Sequence, residues 1–332
     1  MTSSKKINRQ AVSLFFRKIK EADRIAISGH INPDGDCVGA CLGLCTYILD
    51  LDPTKKVDIL LEPISEKFRF LKHADKILQQ RPEEEPYDLY FSLDCSDPGR
   101  LGAFREEFER ADFKICVDHH ISNQGFGNLT FIDAEASSTC EILYDIFEEK
   151  KISFDTAQCL YLGIVHDTGV FKHSNTTRKV MEIAGVLIEK GVRPDFIIDE
   201  TFYKKTYIQN QILGRALMES ILLLDGTIIF SAIKKKDMEF YGIESGDLDG
   251  IIDQLRVTDG VECALFLYEK VEGQFKVSLR SNGNVDVRKI AENFGGGGHI
   301  RAAGCTMDGN VRDIVNSITP FIEQQLKQEK SV

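Results

Sequence analysis

The sequence predicts a two-domain α/β protein: an N-terminal doubly wound, mostly parallel sheet, a smaller C-terminal α+β domain, and a cleft between them. With 332 residues, the chain is long enough for two domains. In its first half, short apolar strands alternate with helical or loop segments, which is typical of a parallel sheet. In its second half, strands are joined by tight turns. We place the domains at 1–195 and 219–332, with a helical linker over 196–218.

The first domain is predicted to open with an amphipathic helix over residues 7–20. An apolar strand at Arg24–Ser28 follows, and then a helix over 36–50 whose small residues permit close packing on a sheet. Further strands are expected at Val57–Leu61, Leu89–Leu93 and Lys114–Val117. The last predicted helices of this domain cover 137–150, 153–166 and 177–190.

The second domain is predicted to begin with a hairpin, because Asp225-Gly226 is a strong turn signal between two apolar runs. The strands expected here are Ile221–Leu224, Ile228–Ile233, Ala264–Tyr268 and Phe275–Leu279. The helices expected here cover Val285–Asn293 and Val311–Lys327, and a further helix is expected to begin near His299.

Composition narrows the class of protein. The net charge of −11 argues against strong binding of long duplex nucleic acid, which is normally held by a basic surface. Nine cysteines without a paired spacing indicate reduced thiols and a cytoplasmic protein. No apolar run approaches the roughly 18 residues of a membrane span, and the N-terminus lacks the apolar stretch of a signal peptide, so we expect no membrane association.

Acidic and histidine side chains are clustered where the predicted strands end. The segment Gly-His-Ile-Asn-Pro-Asp-Gly-Asp (29–36) follows the first strand, Asp94 ends Phe-Ser-Leu-Asp, and Asp118-His119-His120 follows a third strand. Because ligands of doubly wound sheets sit outside the carboxyl ends of the strands, we expect these clusters to converge. Taken alone, the first cluster is equally typical of an Asx turn that caps the following helix.

The combined donor set predicts two divalent metal ions. Carboxylates and imidazoles suit Mn²⁺, Mg²⁺ or Zn²⁺ better than they suit a thiolate-seeking metal. Two ions about 3.5–4 Å apart need a bridging carboxylate and a position open for water, and such a pair typically acts on a phosphorus centre. The metal ligands we expect are His30 and Asp34 on one ion, Asp36, His119 and Asp167 on the other, and Asp94 between them. We expect His166 to pack rather than to bind metal.

A glycine run in the second half predicts an anion site. Gly295, Gly296, Gly297 and Gly298 offer backbone N–H groups without side-chain hindrance, and a helix near His299 would add a favourable dipole. Arg280, His299 and Arg301 add charge that suits phosphate. Taken alone, the run is more typical of a flexible linker or a packing loop.

In their order and spacing, these motifs resemble the DHH phosphoesterase family, subfamily 1, with a C-terminal DHHA1 domain. The segments that carry the resemblance are 29–36, Asp94, 118–120, Asp167 and 295–304. The resemblance implies Mn²⁺-dependent phosphoester hydrolysis, with Mg²⁺ or Co²⁺ as alternative ions, and it supports the metal ligands assigned above. It also implies that His120 contacts the scissile phosphate or the leaving group.

Within the family, the chain is most similar to the short two-domain NrnA-type group, through Ser278-Leu-Arg280-Ser281 and Val285-Asp286-Val287. This resemblance implies exonucleolytic hydrolysis of short RNA oligonucleotides and removal of the 3′-phosphate of pAp. Substrate would be bound by Arg280, Ser281, Gly295 to Gly298, His299 and Arg301. The chain departs from many members at Cys37 and Ala40, where Ala and Ser are common.

Other functions stay open at this point. One is cleavage of cyclic or linear dinucleotides of the c-di-AMP and pApA type, and another is hydrolysis of pyrophosphate or polyphosphate. A nucleotide-binding regulator without activity is disfavoured by the complete donor set. The sequence leaves a homodimer open as well.

Overall fold

The computed structural model describes residues 8–81 and 85–329. The chain divides after Lys204 into two compact units, and each contains one six-stranded sheet. The segment 196–218, which the sequence marks as a linker, is split by this division, and the helix Tyr207–Met218 belongs to the second unit. In the described part of the chain, no helix is both long enough and apolar enough to cross a membrane.

The first unit alternates strands with helices. Its strands are β1 (Arg24–Ser28), β2 (Lys56–Leu60), β3 (Ile77–Leu78), β4 (Leu89–Leu93), β5 (Phe113–Asp118) and β6 (Leu129–Ile132). Its helices are α1 (Arg9–Glu21), α2 (Gly35–Leu51), α3 (Arg105–Arg110), α4 (Thr139–Ile146), α5 (Phe154–Asp167), α6 (Arg178–Glu189) and α7 (Pro194–Ile198).

Every strand pair in the first sheet is parallel, and the strand order is β3-β2-β1-β4-β5-β6. The doubly wound parallel sheet predicted from the sequence is thereby confirmed. The chain reverses its winding direction at β1 and β4, which lie side by side. Sheets of this kind bind ligands outside the carboxyl ends of the strands at such a switch point.

Helix α2 lies against α5 at unusually short range, and glycines make this possible. A Cβ atom added at Gly39 would lie 2.5 Å from the Cys159 carbonyl oxygen on α5, and one added at Gly163 would lie 2.4 Å from Asp36 Oδ1 on α2. The first four turns of α2 are buried accordingly. This packing brings the C-terminal end of α5, with Asp167, to the N-terminal end of α2.

The second unit is a mixed sheet with helices on both faces. Its strands are β7 (Ile221–Leu223), β8 (Ile228–Ile233), β9 (Cys263–Val271), β10 (Gln274–Ser281), β11 (Gly297–His299) and β12 (Ala302–Asp308). Its helices are α8 (Tyr207–Met218), α9 (Lys235–Tyr241), α10 (Ile251–Arg256), α11 (Val287–Asn293) and α12 (Val311–Glu329). The strand order is β11-β12-β10-β9-β8-β7, and the predicted hairpin is present as antiparallel β7 and β8.

The helix predicted to begin near His299 is wrong, because the chain forms the edge strand β11 there. The cause is close packing against β12. A Cβ atom at Gly296 would lie 2.2 Å from the Gly304 carbonyl oxygen, and one at Gly298 would lie 2.5 Å from the Ala302 carbonyl oxygen. Gly296 and Gly298 lack the Cβ atoms that would keep β12 away, so these two glycines serve strand pairing.

Candidate metal centre

Three neighbouring strands deliver the first donors of the candidate site. His30 follows β1, Asp94 follows β4, and His119 follows β5, so all three lie at the carboxyl edge of the first sheet around its switch point. Asp94 has a left-handed backbone with φ of 52°, which is uncommon for a residue with a side chain and is associated with functional sites.

The first group of donors surrounds His30. Its Nε2 atom lies 3.7 Å from Asp34 Oδ1 and 3.4 Å from Asp94 Oδ2. Its Nδ1 atom lies 2.8 Å from the Ile31 carbonyl oxygen, which only accepts hydrogen bonds, so Nδ1 carries the proton and the Nε2 lone pair is left for a metal. Asp34 caps α2 and accepts hydrogen bonds from the backbone N–H groups of Asp36 and Cys37.

The second group surrounds His119. Its Nε2 atom lies 3.0 Å from Asp167 Oδ2 and 3.5 Å from Asp94 Oδ1. Asp36, His119 and Asp167 each supply a ligand atom within 4.8 Å of the other two. Asp94 therefore contacts both histidines with different oxygens, as a carboxylate between two cations would.

Asp36 is fully buried, and the N-terminus of α4 holds it in place. Its Oδ2 atom accepts the Thr139 N–H at 2.6 Å, and its Oδ1 atom accepts the Cys140 N–H at 3.1 Å. The Thr139 hydroxyl also donates to Asp94 Oδ1 at 3.2 Å. Neither Thr139 nor Cys140 is among the site residues predicted from the sequence. The available signal was Ser138 followed by Glu141, a capping pattern that marks a helix start.

The electrostatics of the cluster favour the binding of cations. Burial and the nearby charges of Asp167 and Asp94 raise the pKa of Asp36 well above its ordinary value. Burial raises the pKa of Asp167 to about 6. Burial opposes charge on His119, but hydrogen bonds to Asp167 and Asp94 outweigh it and raise its pKa to about 12. Without metal, protons on Asp36 and His119 thus offset part of the negative charge of the crowded carboxylates.

This donor set fits divalent metal ions. Buried carboxylate oxygens and imidazole nitrogens converge, and the two groups share Asp94. Such hard and borderline donors suit Mn²⁺, Mg²⁺ and Zn²⁺. All six expected ligands lie in this cluster, which is thus able to bind divalent metal.

His120 lies beside the cluster, and a hydrogen bond to Asp118 orients its ring. Asp118, fully buried at the end of β5, lies 2.8 Å from His120 Nδ1. Asn123 donates its amide to the other oxygen of Asp118 at 2.7 Å and to the Cys95 carbonyl oxygen at 3.0 Å. The hydrogen bond to Asp118 is the main cause of the raised pKa of His120. Asn123 is not among the site residues predicted from the sequence.

His166 lies outside the donor groups. Its ring packs against Phe202 and Phe68, with centroid distances of 4.4 and 5.2 Å, and burial lowers its pKa to about 4. It also fills the space beside Gly35, where a Cβ atom would lie 2.1 Å from His166 Cγ. The ring thus packs behind the turn that carries Asp34 and Asp36.

In the second unit, two of the predicted cations share one face of the sheet. Arg280 on β10 and His299 on β11 both lie opposite Ala302 on β12, and directly opposed residues project from the same face. The next row of opposed residues on this face holds Ser278, Gly304 and Gly297, so the surface beside the two cationic side chains is formed by small residues. Asp253 Oδ1 lies 3.6 Å from Arg280 Nε.

Other members of the predicted anion site are engaged within the second unit. The Ser281 hydroxyl is buried and donates to Glu262 at 3.1 Å. The N–H groups of Gly295 and Gly296 donate to the carbonyl oxygens of Glu292 and Ala291. The expected cradle of four free N–H groups is therefore wrong for two of them. His299 and Arg301 are exposed.

Comparison with protein families and known proteins agrees with this arrangement. The model of the DHH family, N-terminal domain, matches residues 24–164, and the model of the DHHA1 domain matches residues 225–327. The first match contains the strand ends that carry the metal donors.

Among curated proteins, the chain is 30% identical to the bifunctional oligoribonuclease and PAP phosphatase NrnA of Thermus thermophilus, over 86% of this chain and 84% of that protein. It is 25% identical to the Bacillus subtilis protein of the same name, over 88% of this chain and 91% of that one. Among solved structures, an exopolyphosphatase-related protein from Bacteroides fragilis has a TM-score of 0.87 and 25% identity, covering 97% of this chain and 98% of that one.

Proposed function

Because the chain belongs to the DHH family and carries a DHHA1 domain, we propose that it is a metal-dependent phosphoesterase that hydrolyses short oligoribonucleotides and the 3′-phosphate of pAp. The observation that carries this proposal is the convergence of His30, Asp36, Asp94, His119 and Asp167 at one sheet edge. The relatives from Thermus and Bacillus, which align along most of their length, are named for both activities.

We assign two divalent ions to the cluster, with Mn²⁺ as the first choice. His30, Asp34 and Asp94 would hold one ion, while Asp36, His119, Asp167 and Asp94 would hold the other. When bound, such ions polarise phosphoryl oxygens and lower the pKa of a coordinated water. The chain's own part is to present these ligands already oriented, through the Ile31 carbonyl oxygen behind His30 and the α4 amides behind Asp36.

His120 supplies proton transfer in this proposal. Asp118 faces Nδ1, and its hydrogen bond raises the pKa of the ring, which favours the protonated form. Nε2–H is then the donor available to the leaving oxygen, or to the phosphate itself. Asn123 keeps Asp118 in its rotamer, so the ring is held in place before substrate arrives.

The second unit supplies substrate recognition in this proposal. Arg280 and His299 flank Ala302 on one sheet face, and Arg301 lies in the adjoining turn. A terminal phosphate would be held by charge-assisted hydrogen bonds from these groups. This site has few cationic side chains and the chain carries a net charge of −11, so we expect the protein to bind long polyanions weakly. We therefore expect a preference for substrates of a few nucleotides.

A substrate panel tests the proposal directly. Purified protein with Mn²⁺ would be given RNA from dimers to 24-mers, pAp, linear and cyclic dinucleotides, and pyrophosphate. We expect turnover of the short RNAs and pAp. Turnover of cyclic and linear dinucleotides alone, with longer short RNAs and pAp left intact, would contradict the proposal and favour the dinucleotide alternative. Turnover of pyrophosphate alone would contradict it and favour the pyrophosphatase alternative.

Variants connect the activity to the two proposed parts. Asp94→Ala should abolish metal-dependent turnover while the far-ultraviolet circular dichroism stays unchanged. Asp97→Asn, an exposed carboxylate in the same loop, is the matched control and should stay active. Arg301→Ala should raise KM while kcat is kept, and a loss of kcat alone would place Arg301 at the reacting atoms.

We further propose a cytoplasmic location, since all nine cysteines are unpaired and buried.

A further inference from the structure

Cys37 lies at the candidate metal centre although the family resemblance gives it no role. It is in the first turn of α2, and its side chain is fully buried. Its Sγ atom fills the space above Gly29, where an added Cβ atom would lie 2.2 Å from it. Its position is therefore set by the same turn that carries His30 and Asp34.

The thiol is within reach of a metal shared with known donors. Cys37 Sγ, a ring nitrogen of His30 and a carboxylate oxygen of Asp94 all lie within 4.8 Å of one another. Among residues 8–81 and 85–329, Cys37 is the one cysteine in such a group. Cys41, one turn further along the same helix, is equally buried but belongs to no group. Proximity to these donors thus distinguishes Cys37 from Cys41.

We propose that Cys37 is a sulfur ligand of the ion held by His30 and Asp94, and that it makes this position favour thiophilic divalent ions such as Zn²⁺, Co²⁺ and Cd²⁺. This inference rests on the metal centre proposed above. Thiolate ligands select softer ions, whereas carboxylates and water suit Mn²⁺ and Mg²⁺. The other position, at Asp36, His119 and Asp167, contains no sulfur among its donors. The two positions therefore differ in the metal they prefer.

The coordination step is simple in its chemistry. The S–H bond is replaced by a bond from sulfur to the metal, and the proton passes to buffer without any change of oxidation state. Loss of this ligand should weaken binding of Cd²⁺ or Zn²⁺ at this position by on the order of tenfold or more, since changes in outer-shell partners alone have effects of this size. Binding of Mn²⁺ should change much less.

Spectroscopy of the metal-loaded protein tests the role of Cys37 independently of turnover. Co²⁺ would be titrated into metal-free wild type, Cys37→Ser, Cys37→Ala and the matched control Cys41→Ala. Wild type and Cys41→Ala should show a near-ultraviolet sulfur-to-cobalt charge-transfer band, and both Cys37 variants should lose it. X-ray absorption of wild type loaded with a single equivalent of Zn²⁺, which should fill the Cys37 position first, should show one sulfur neighbour at about 2.3 Å.

The outcomes separate this inference from the proposed function. If wild type binds Co²⁺ and Mn²⁺ by calorimetry but shows neither the band nor the sulfur neighbour, the role of Cys37 is refuted and the metal centre stands. Loss of the band in Cys41→Ala with its retention in Cys37→Ser would refute it as well. If wild type binds no divalent ion at all, the metal centre itself is refuted. The wild-type zinc spectrum decides the question even if a Cys37 variant fails to fold.

Discussion

Gly163→Ala offers a sharp test of the contact between α5 and the candidate metal centre. Inside an ordinary exposed helix, this change stabilises by about 1 kcal/mol, because alanine has the higher helix propensity. At Gly163, however, the new Cβ atom would lie 2.4 Å from Asp36 Oδ1 and 2.3 Å from Cys140 Sγ. Ordinary contact needs about 3.5 Å, so Asp36 and its neighbours must move by about 1 Å.

The expected magnitude follows from these two opposing effects. Overpacking a well-packed interior typically destabilises by about 1–3 kcal/mol, which exceeds or offsets the gain in propensity. The net change is a loss of up to about 2 kcal/mol, or up to about 8 °C in the Tm of a unit of this size. Displacement of Asp36 should also weaken binding of Mn²⁺ by about 10–100-fold.

Gly185→Ala is the matched control, because it is a helical glycine in the same unit with nothing within 4 Å of the added Cβ atom. It should raise the Tm by about 2–4 °C and leave Mn²⁺ affinity unchanged. Differential scanning calorimetry and isothermal titration with Mn²⁺ measure both effects. If Gly163→Ala is stabilised like Gly185→Ala and binds Mn²⁺ normally, the argument from close packing is refuted.

Three further predictions follow from the same structure. Gly298→Ala should destabilise the second unit by about 1–3 kcal/mol, because Gly298 has a φ of 145° and an added Cβ atom would meet β12. Gly297→Ala is the control, because a Cβ atom there has open space and should change stability little. Chemical denaturation of both variants checks this. Asn123→Ala leaves buried Asp118 short of a donor, so it should destabilise by about 1–3 kcal/mol and lower kcat more than it raises KM, which urea titration and steady-state kinetics would show. Mn²⁺ at a hundred times its Kd should stabilise the metal-free protein by about 2.7 kcal/mol for each ion bound in thermal unfolding, and Asp36→Asn should remove the gain from the ion that Asp36 holds.

The strands around the site were predicted with accurate bounds because their signal is local. β1 and β4 are short apolar runs that end at polar turn residues, and the structure has both with the predicted ends. β3 escaped prediction because its two residues carry no periodic pattern. The error near His299 has a different cause, since the pairing of the glycines with β12 depends on contacts that no local rule contains.

The candidate site, like the fold, was predicted only in part from the sequence. The metal donors follow strand ends, so parallel-sheet topology was enough to expect them together. The groups that hold these donors were not foreseen, because they come from distant segments. Thr139 and Asp36, for example, are separated by 103 residues, and their contact exists only once α4 has docked. Asn123 was missed because an amide in a loop has many ordinary uses.

The hydrogen bonds from α4 to Asp36 make two backbone amides sensitive to metal binding at Asp36. Each oxygen of this buried carboxylate accepts one amide, which leaves further lone pairs for a cation. When a cation draws electron density from the carboxylate, the amide protons of Thr139 and Cys140 experience the change directly. Their nuclear magnetic resonance signals would therefore follow the filling of one metal position in solution, with a diamagnetic ion such as Mg²⁺ or Zn²⁺ and without any substrate.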